Sequence, residues 1–398
     1  MALLAVGKSV EGRSVDDNHP VSHIYQRMAI SRRRFIGAAA AAGGTFVMWQ
    51  ARLGRTAESG NSARLGQHSP HDEKRTELGI CLHGLPVHME ASRRRGQPAN
   101  LSDPLAMLEF CHTLGAGGIQ TAIGIRQQQY CQQLRKRAEQ LGMWIEGIVE
   151  LPPDHFALER FEAQLRTAAE AGAAVVRCVL LPGRRYEQFR SAEQFRQALQ
   201  RAEKSLQLAE PVARKHRVRL AVENHKDLRS QELLAVLQRL GSQQVGVCVD
   251  TGNSIALLED PLETVEALAP LAQAVHLKDM DVREHPAGFL LAEVPLGEGI
   301  LDVPRIVAVL RRANPQLRFS LEMITRDPLV VPCLGEQYMA TLGDVPARDL
   351  ARTLRTVRGR ADGQPLPRIS HLTLDEQLAA EKQNISNCIQ FASVRLKL

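Results

Sequence analysis

Val218-Arg-Leu-Ala-Val-Glu-Asn-His225 opens on a short apolar run that closes on a carboxylate, Glu223, and Val245-Gly-Val-Cys-Val-Asp250 repeats the form. Two later runs carry a similar ending. Ala272-Gln-Ala-Val-His-Leu277 holds His276 near its end, and Phe319-Ser-Leu-Glu-Met323 holds Glu322. The intervals between Glu223, Asp250, His276 and Glu322 are 27, 26 and 46 residues, each long enough for a crossover helix. Parallel strands require such crossovers, whereas antiparallel ones are joined by short turns.

Upstream, the same alternation begins near residue 77. Strand-like runs are expected at Leu78–His83, Gly118–Ile123, Trp144–Val149, Ala174–Val179, Val218–Glu223, Val245–Asp250, Ala272–Lys278 and Arg318–Met323. Amphipathic stretches lie between them: Asp103–Leu114, Leu158–Ala171, Ala192–Lys215, Ser230–Leu240, Pro261–Ala269 and Val303–Arg312. Ser102-Asp103-Pro104, Asp260-Pro261 and Asp302-Val-Pro304 are helix-start signals, with a capping side chain ahead of a proline that needs no N–H partner. Eight such units in about 250 residues predict an α/β fold, a closed (β/α)8 TIM barrel. The segment Met280–Gly299 reads as a long loop after the seventh strand, and long loops over a barrel mouth are commonly functional.

This divides the chain into a leader (1–50), a flexible linker (51–76), the barrel (77–360) and a C-terminal helical extension (361–398). In the extension, Thr373-Leu-Asp-Glu376 is a capping box, and Leu374, Leu378, Ile385, Cys388, Ile389, Ala392 and Leu396 recur at helical spacing. That helix is expected to pack on the barrel or on a second copy of the chain in a homo-oligomer.

The leader holds Ser31-Arg-Arg-Arg-Phe-Ile-Gly37, then a short Ala- and Gly-containing apolar stretch to Trp49. A basic segment ahead of an apolar run too short to span a bilayer is export-signal architecture. The Ser-Arg-Arg-x-Phe-Ile order resembles a twin-arginine signal, which implies the twin-arginine export machinery as a partner and a periplasmic or otherwise extracytoplasmic location. The leader also explains the charge. Residues 1–75 contain 11 Lys/Arg against 6 Asp/Glu, so nearly all of the formal +6 belongs there. The remainder has no basic excess that would suggest a nucleic-acid partner. The seven cysteines form no C-x-x-C pair and sit in apolar patterns, so buried thiols are expected in place of a disulfide framework.

The C-terminal strand ends of a TIM barrel converge on one face, the face that carries the active site. Two glutamates, an aspartate and a histidine brought together there form a set of three oxygens and one nitrogen suited to one divalent cation. A strand-end residue of this kind taken singly is more simply a salt bridge or a helix cap; four in order favour the metal.

The ordered segments Val222-Glu-Asn-His225, Cys248-Val-Asp-Thr-Gly-Asn253, Val275-His-Leu-Lys-Asp279, Pro295-Leu-Gly-Glu-Gly299 and Ser320-Leu-Glu-Met323 together resemble the sugar phosphate isomerase/epimerase family of xylose isomerase-like barrels. The resemblance covers residues 77–360 and is strongest over 218–325. It implies that Glu223, Asp250, His276 and Glu322 are metal ligands, for manganese first, with zinc, cobalt or magnesium as alternatives. It also implies that Glu223 and Glu322 are the acid–base pair. A cation gripping the carbonyl and hydroxyl of a keto-sugar acidifies the C–H between them and stabilises the resulting enediolate. A carboxylate takes the proton and an acid returns it, giving an epimer or an isomer.

Lys278 and His225 each lie two residues beyond a ligand, on the same strand side, and are candidates for contact with a sugar substrate. His83 and Glu150 are candidates for lining the mouth, and Arg283, with Arg184, Arg185 and Arg326, is a candidate for binding an anionic group of the substrate. No glycine cradle for phosphate opens a helix, so a free or oxidised sugar is expected. A lyase or hydratase acting on a keto-sugar by β-elimination uses the same site. A non-catalytic sugar-binding barrel would hold metal without turnover. A barrel-type DNA-repair endonuclease would need many histidines, and only His225 and His276 lie in the ligand segments. No G-x-G-x-x-G follows a strand, so no dinucleotide cofactor is expected.

Overall fold

The eight runs pair edge to edge as parallel strands. They are β1 (Gly79–Cys81), β2 (Gly118–Thr121), β3 (Trp144–Ile148), β4 (Val175–Cys178), β5 (Arg219–Glu223), β6 (Val245–Asp250), β7 (Ala272–Leu277) and β10 (Phe319–Leu321). They close in the order β1-β10-β7-β6-β5-β4-β3-β2. This computed structural model describes residues 76–95, 100–360 and 363–398. The expected leader, and the expected linker up to residue 75, lie outside the described residues. Among those described, no helix is long and apolar enough to cross a membrane.

Strand alternation sorts the side chains. Val176, Leu220, Val222, Val247, Val249, Val275 and Leu277 point outward and share one core with helix residues such as Phe161, Leu165, Leu206, Leu233 and Leu268. Val175, Ala221, Cys248 and Ala274 form a separate small cluster inside the barrel. The helices start where the caps predict: the side chains of Asp103, Asp260 and Asp302 accept from backbone N–H groups in the first turns of Pro104–Thr113, Pro261–Leu268 and Val303–Ala313. At the N-terminal end of the barrel, the Trp144 indole lies against β1 and β2. A Cβ on Gly118 would stand 2.0 Å from the ring, so only glycine fits there.

Met280–Gly299 is not a loop. It contains an antiparallel hairpin, β8 (Asp279–His285) and β9 (Gly288–Val294), extended by β11 (Leu329–Val331). The turn at Pro286-Ala287 and the apolar residues Met280, Val282, Phe289 and Leu291 are the signal the loop reading passed over. Those four side chains join Val331, Tyr338, Leu342 and Val357 in a second core under the helices Glu336–Leu342 and Ala347–Arg358.

The capping box at Thr373 forms, opening the helix Leu374–Phe391. The helix packs on its own barrel. Its fully buried Glu381 accepts from Val87 N (2.8 Å), His88 N (3.0 Å) and the His88 ring (2.6 Å) at the start of the helix Pro86–Arg95. All seven cysteines are buried and free.

Candidate active site

Two residues beyond each member of the inner cluster stands a polar group. Val175 leads to Arg177, Ala221 to Glu223, Cys248 to Asp250 and Ala274 to His276. The period of two keeps all four inside the barrel and one layer nearer its C-terminal mouth. Cross-strand register aligns them, with Asp250 opposite His276 and His276 opposite Ser320. Glu322 follows β10 directly, and its N–H continues the ladder to Leu277 O at 3.1 Å.

The four ligand-type residues converge. One ligand atom from each of Glu223, Asp250, His276 and Glu322 lies within 4.8 Å of the others, and their residues are 0–4% exposed. His276 Nδ1 is 3.4 Å from Glu223 Oε2, 3.5 Å from Glu322 Oε1 and 3.9 Å from Asp250 Oδ2. Neither His276 Nδ1 nor Asp250 Oδ2 has a hydrogen-bond partner among the described residues. Buried polar atoms left this way are costly, and two of them within one ligand cluster would suit a cation. His276 is oriented from behind by Gln120 Oε1, 2.6 Å from Nε2, and Gln120 donates in turn to Glu146 Oε2 at 3.0 Å. That leaves Nδ1 toward the centre, an arrangement that fixes the ring of a ligating histidine.

Opposite charges hold the carboxylates. Arg177 Nε donates to Glu223 Oε2 at 2.5 Å, and Asn253 Nδ2 donates to Glu223 Oε1 at 2.9 Å. Lys278 Nζ lies 2.5 Å from Glu322 Oε2 and 2.8 Å from Asp250 Oδ2, the latter outside hydrogen-bond geometry. Burial pushes the Glu223 carboxyl up, but Arg177 and His276 outweigh it and bring it down to about 2. For Glu322, Lys278 and His276 overcome burial and hold it well below the usual range. Asp250 goes the other way, to about 6, because burial outweighs Lys278. For His276, burial is overcome by Cys248 and the carboxylates, so it keeps its proton well above the ordinary value.

A family model described as a xylose isomerase-like TIM barrel matches residues 108–341. This chain belongs to the xylose isomerase-like TIM barrel family. It is similar to a 3-oxo-isoapionate decarboxylase of Pectobacterium atrosepticum, 29% identical over 241 residues, or 59% of this chain and 81% of that protein. Among solved structures it is similar to a D-psicose 3-epimerase determined in the presence of D-fructose, at 16% identity, 75% and 94% coverage of this chain and that one, and a TM-score of 0.49. A 3-keto-D-glucoside 4-epimerase of Escherichia coli is similar at 14% identity, 72% and 100% coverage and a TM-score of 0.46.

The other expected site residues of this xylose isomerase-like barrel are placed unevenly. His83 reaches the centre, with Nδ1 3.5 Å from Glu322 Oε1 and 3.7 Å from Cys81 Sγ. Lys278 is fully buried between Asp250 and Glu322. His225 is half-buried at the mouth with Nδ1 3.1 Å from Gly183 O, and burial lowers it to about 3. Glu150 is exposed, because β3 ends at Ile148 and the chain turns away; the buried acid of that strand is Glu146. Arg283 belongs to the hairpin, where it meets Asp281 Oδ2 at 3.0 Å and the carbonyl of Val282 at 2.6 Å.

Sequence reasoning missed Arg177, whose signal is a lone charge in the apolar run Ala173–Leu181 at the inward phase of the strand. It also missed Asn224, whose amide clamps the Asp250 backbone at 2.7 and 2.9 Å. The Pro295–Gly299 motif is structural. Asp279 accepts from the N–H groups of Gly297 and Gly299, each at 3.0 Å, and a Cβ on Gly299 would collide with its carboxylate.

Proposed function

We propose that this chain is a divalent-metal-dependent enzyme acting on keto-sugars, an isomerase or epimerase that moves a proton beside a carbonyl through an enediolate. The observation that carries this reading is the convergence of three buried carboxylates with a ring nitrogen that has no hydrogen-bond partner. Glu223, Asp250, His276 and Glu322 would hold the cation, manganese being the first reading and zinc, cobalt or magnesium the alternatives. When bound, it supplies Lewis-acid stabilisation of the charge that develops on the substrate oxygens.

The chain's own groups supply the rest. Glu223 and Glu322 approach from walls separated by β6 and β7. One carboxylate removes the proton and the other side returns one, to the same carbon for epimerisation or to its neighbour for isomerisation. Arg177 and Lys278 keep the two glutamates ionised, so the one that abstracts is ready to accept, and the one that returns a proton must first take one up. His83, beside Glu322 Oε1, is placed to pass a proton between that carboxylate and the half-open mouth. The burial of the whole set excludes bulk water, which strengthens each of these interactions.

The decarboxylase relative favours a second reading. Loss of CO2 from a carboxylate β to the carbonyl sends the C–C electron pair into the carbonyl and leaves the same enediolate, which is then protonated on carbon. Both readings are tested together by elemental analysis, followed by incubation of the metal-loaded protein with ketoses and keto sugar acids in D2O. Deuterium is expected at the carbon next to the carbonyl, and the products separate epimerisation, isomerisation and decarboxylation. A metal-loaded protein giving neither exchange nor CO2 with any of them would leave a sugar-binding role.

The run Ser31–Gly37 supports export in a folded state and work outside the cytoplasm. Replacing Arg32 and Arg33 by Lys is expected to retain the protein inside the cell on fractionation.

A further inference from the structure

Four Lys and Arg residues are buried among the described residues: Arg177, Arg185, Lys226 and Lys278. Three of them have a carboxylate at hand. Arg177 pairs with Glu223, Lys278 with Asp250 and Glu322, and Arg185 with Glu232 at 2.8 Å. Lys226 has none within ion-pair distance among the described residues. Its ammonium donates to a neutral oxygen, Asn253 Oδ1. A buried cation satisfied only by an amide is a costly arrangement, and it is stabilised when an anion arrives.

Its position says where that anion would sit. Lys226 lies three residues past Glu223, and the same Asn253 side chain that accepts from Lys226 donates to Glu223 Oε1 at 2.9 Å. One amide therefore separates the ammonium from the proposed base. Burial and the neighbouring Lys278 lower Lys226 to about 8, and the more distant Glu293 and Asp250 offset them only in part. The other cations are engaged elsewhere: Arg184 with Glu187, Arg283 with Asp281, and Arg326 with Glu293.

Charge balance points the same way. With His276 neutral, as a metal ligand must be, Glu223, Asp250, Glu322 and Glu293 face Arg177, Lys278, Arg326 and Lys226, and these eight charges balance. With the divalent ion of the proposed function, on which this inference rests, the assembly carries two positive charges. An enediolate takes up one of them. We infer that Lys226 is an anion subsite of the mouth and that the substrate is a keto sugar acid whose carboxylate it receives. A single ammonium suits a carboxylate better than a phosphate, which would call for several donors.

The test uses calorimetric binding to the manganese-loaded full chain, with D-fructose, 2-keto-D-gluconate and D-fructose 6-phosphate as probes. A hydrogen bond to a charged group is worth roughly 1.5–3 kcal/mol, so the keto acid should bind about 10- to 100-fold more tightly than the ketose. Lys226→Met should remove that advantage while leaving D-fructose affinity within about threefold. Lys226→Arg, which retains the charge if the apolar variant does not fold, should keep most of it. Equal binding of acid and ketose overturns the subsite alone. The same holds for an advantage that survives Lys226→Met, or for tightest binding by the phosphate. No binding of any probe to protein shown to hold metal overturns the subsite and the keto-sugar reading together.

Discussion

Arg177 and Glu223 stand one strand apart, and the guanidinium Nε donates to the carboxylate Oε2 across 2.5 Å inside the barrel, with both side chains buried. The pair fixes the proposed base in place before any metal or substrate arrives. A depressed carboxyl contributes stability that is full above its unfolded pKa and is lost as pH falls through its folded one. For Glu223 that loss runs from the ordinary carboxylate range down to about 2. Arg177→Gln removes this contribution at neutral pH. The metal-free variant is expected to lose roughly 3–5 kcal/mol, the usual cost of breaking a buried pair, measured by urea unfolding at pH 7. The deficit should shrink as the pH approaches 3, where protonation of the carboxyl in the unfolded chain has already removed part of the wild type's advantage.

Glu223→Gln and Glu322→Gln each keep an oxygen ligand and lose the proton-transferring group. With metal occupancy verified by elemental analysis, each is expected to turn over at least about 100-fold more slowly. Near-native rates at full occupancy would count against both glutamates as the acid–base pair.

Metal uptake should release protons. His276 holds its proton well above the ordinary imidazole value, and Asp250 titrates near 6. A ligand must give up its proton to bind, so affinity for Mn2+ should rise as the pH rises. From pH 6 to 8 an increase of about tenfold per unit for each proton released is expected. Calorimetry in two buffers of different ionisation heat counts those protons; a pH-independent affinity with no proton release would contradict the assignment of His276 as a ligand.

Glu381 joins the C-terminal helix to the start of the helix Pro86–Arg95 by accepting from two backbone N–H groups and the His88 ring. Glu381→Ala leaves these donors buried without their acceptor and should cost roughly 3–5 kcal/mol. Glu381→Gln, which keeps one carbonyl oxygen, should cost less. The comparison reads out as unfolding midpoints, and a neutral Glu381→Ala would mean that the tail is dispensable to the barrel.

Much of the architecture could be read from residues 77–323. Runs such as Val245–Asp250 are fully apolar up to their last residue because a barrel strand is covered on both faces, and the aspartate–proline starts mark helices by local hydrogen bonding alone. The hairpin β8–β9 is hard to read locally because Met280, Val282, Phe289 and Leu291 bury against Tyr338, Leu342 and Val357, which come much later in the chain. Extending β3 past Ile148 puts Glu150 at the mouth, but the strand has already ended there.

The sequence by itself determined the (β/α)8 order and the inward phase of Glu223, Asp250 and His276, because strand period and crossover length are local properties of the chain. Tertiary structure alone decided which charges meet. Arg177 finds Glu223 across a strand boundary, Gln120 reaches His276 from the far side of the barrel, and Lys226 ends beside Asn253 with no carboxylate within ion-pair distance among the described residues. Those pairings depend on barrel closure and on register between strands far apart in sequence, which no local pattern encodes.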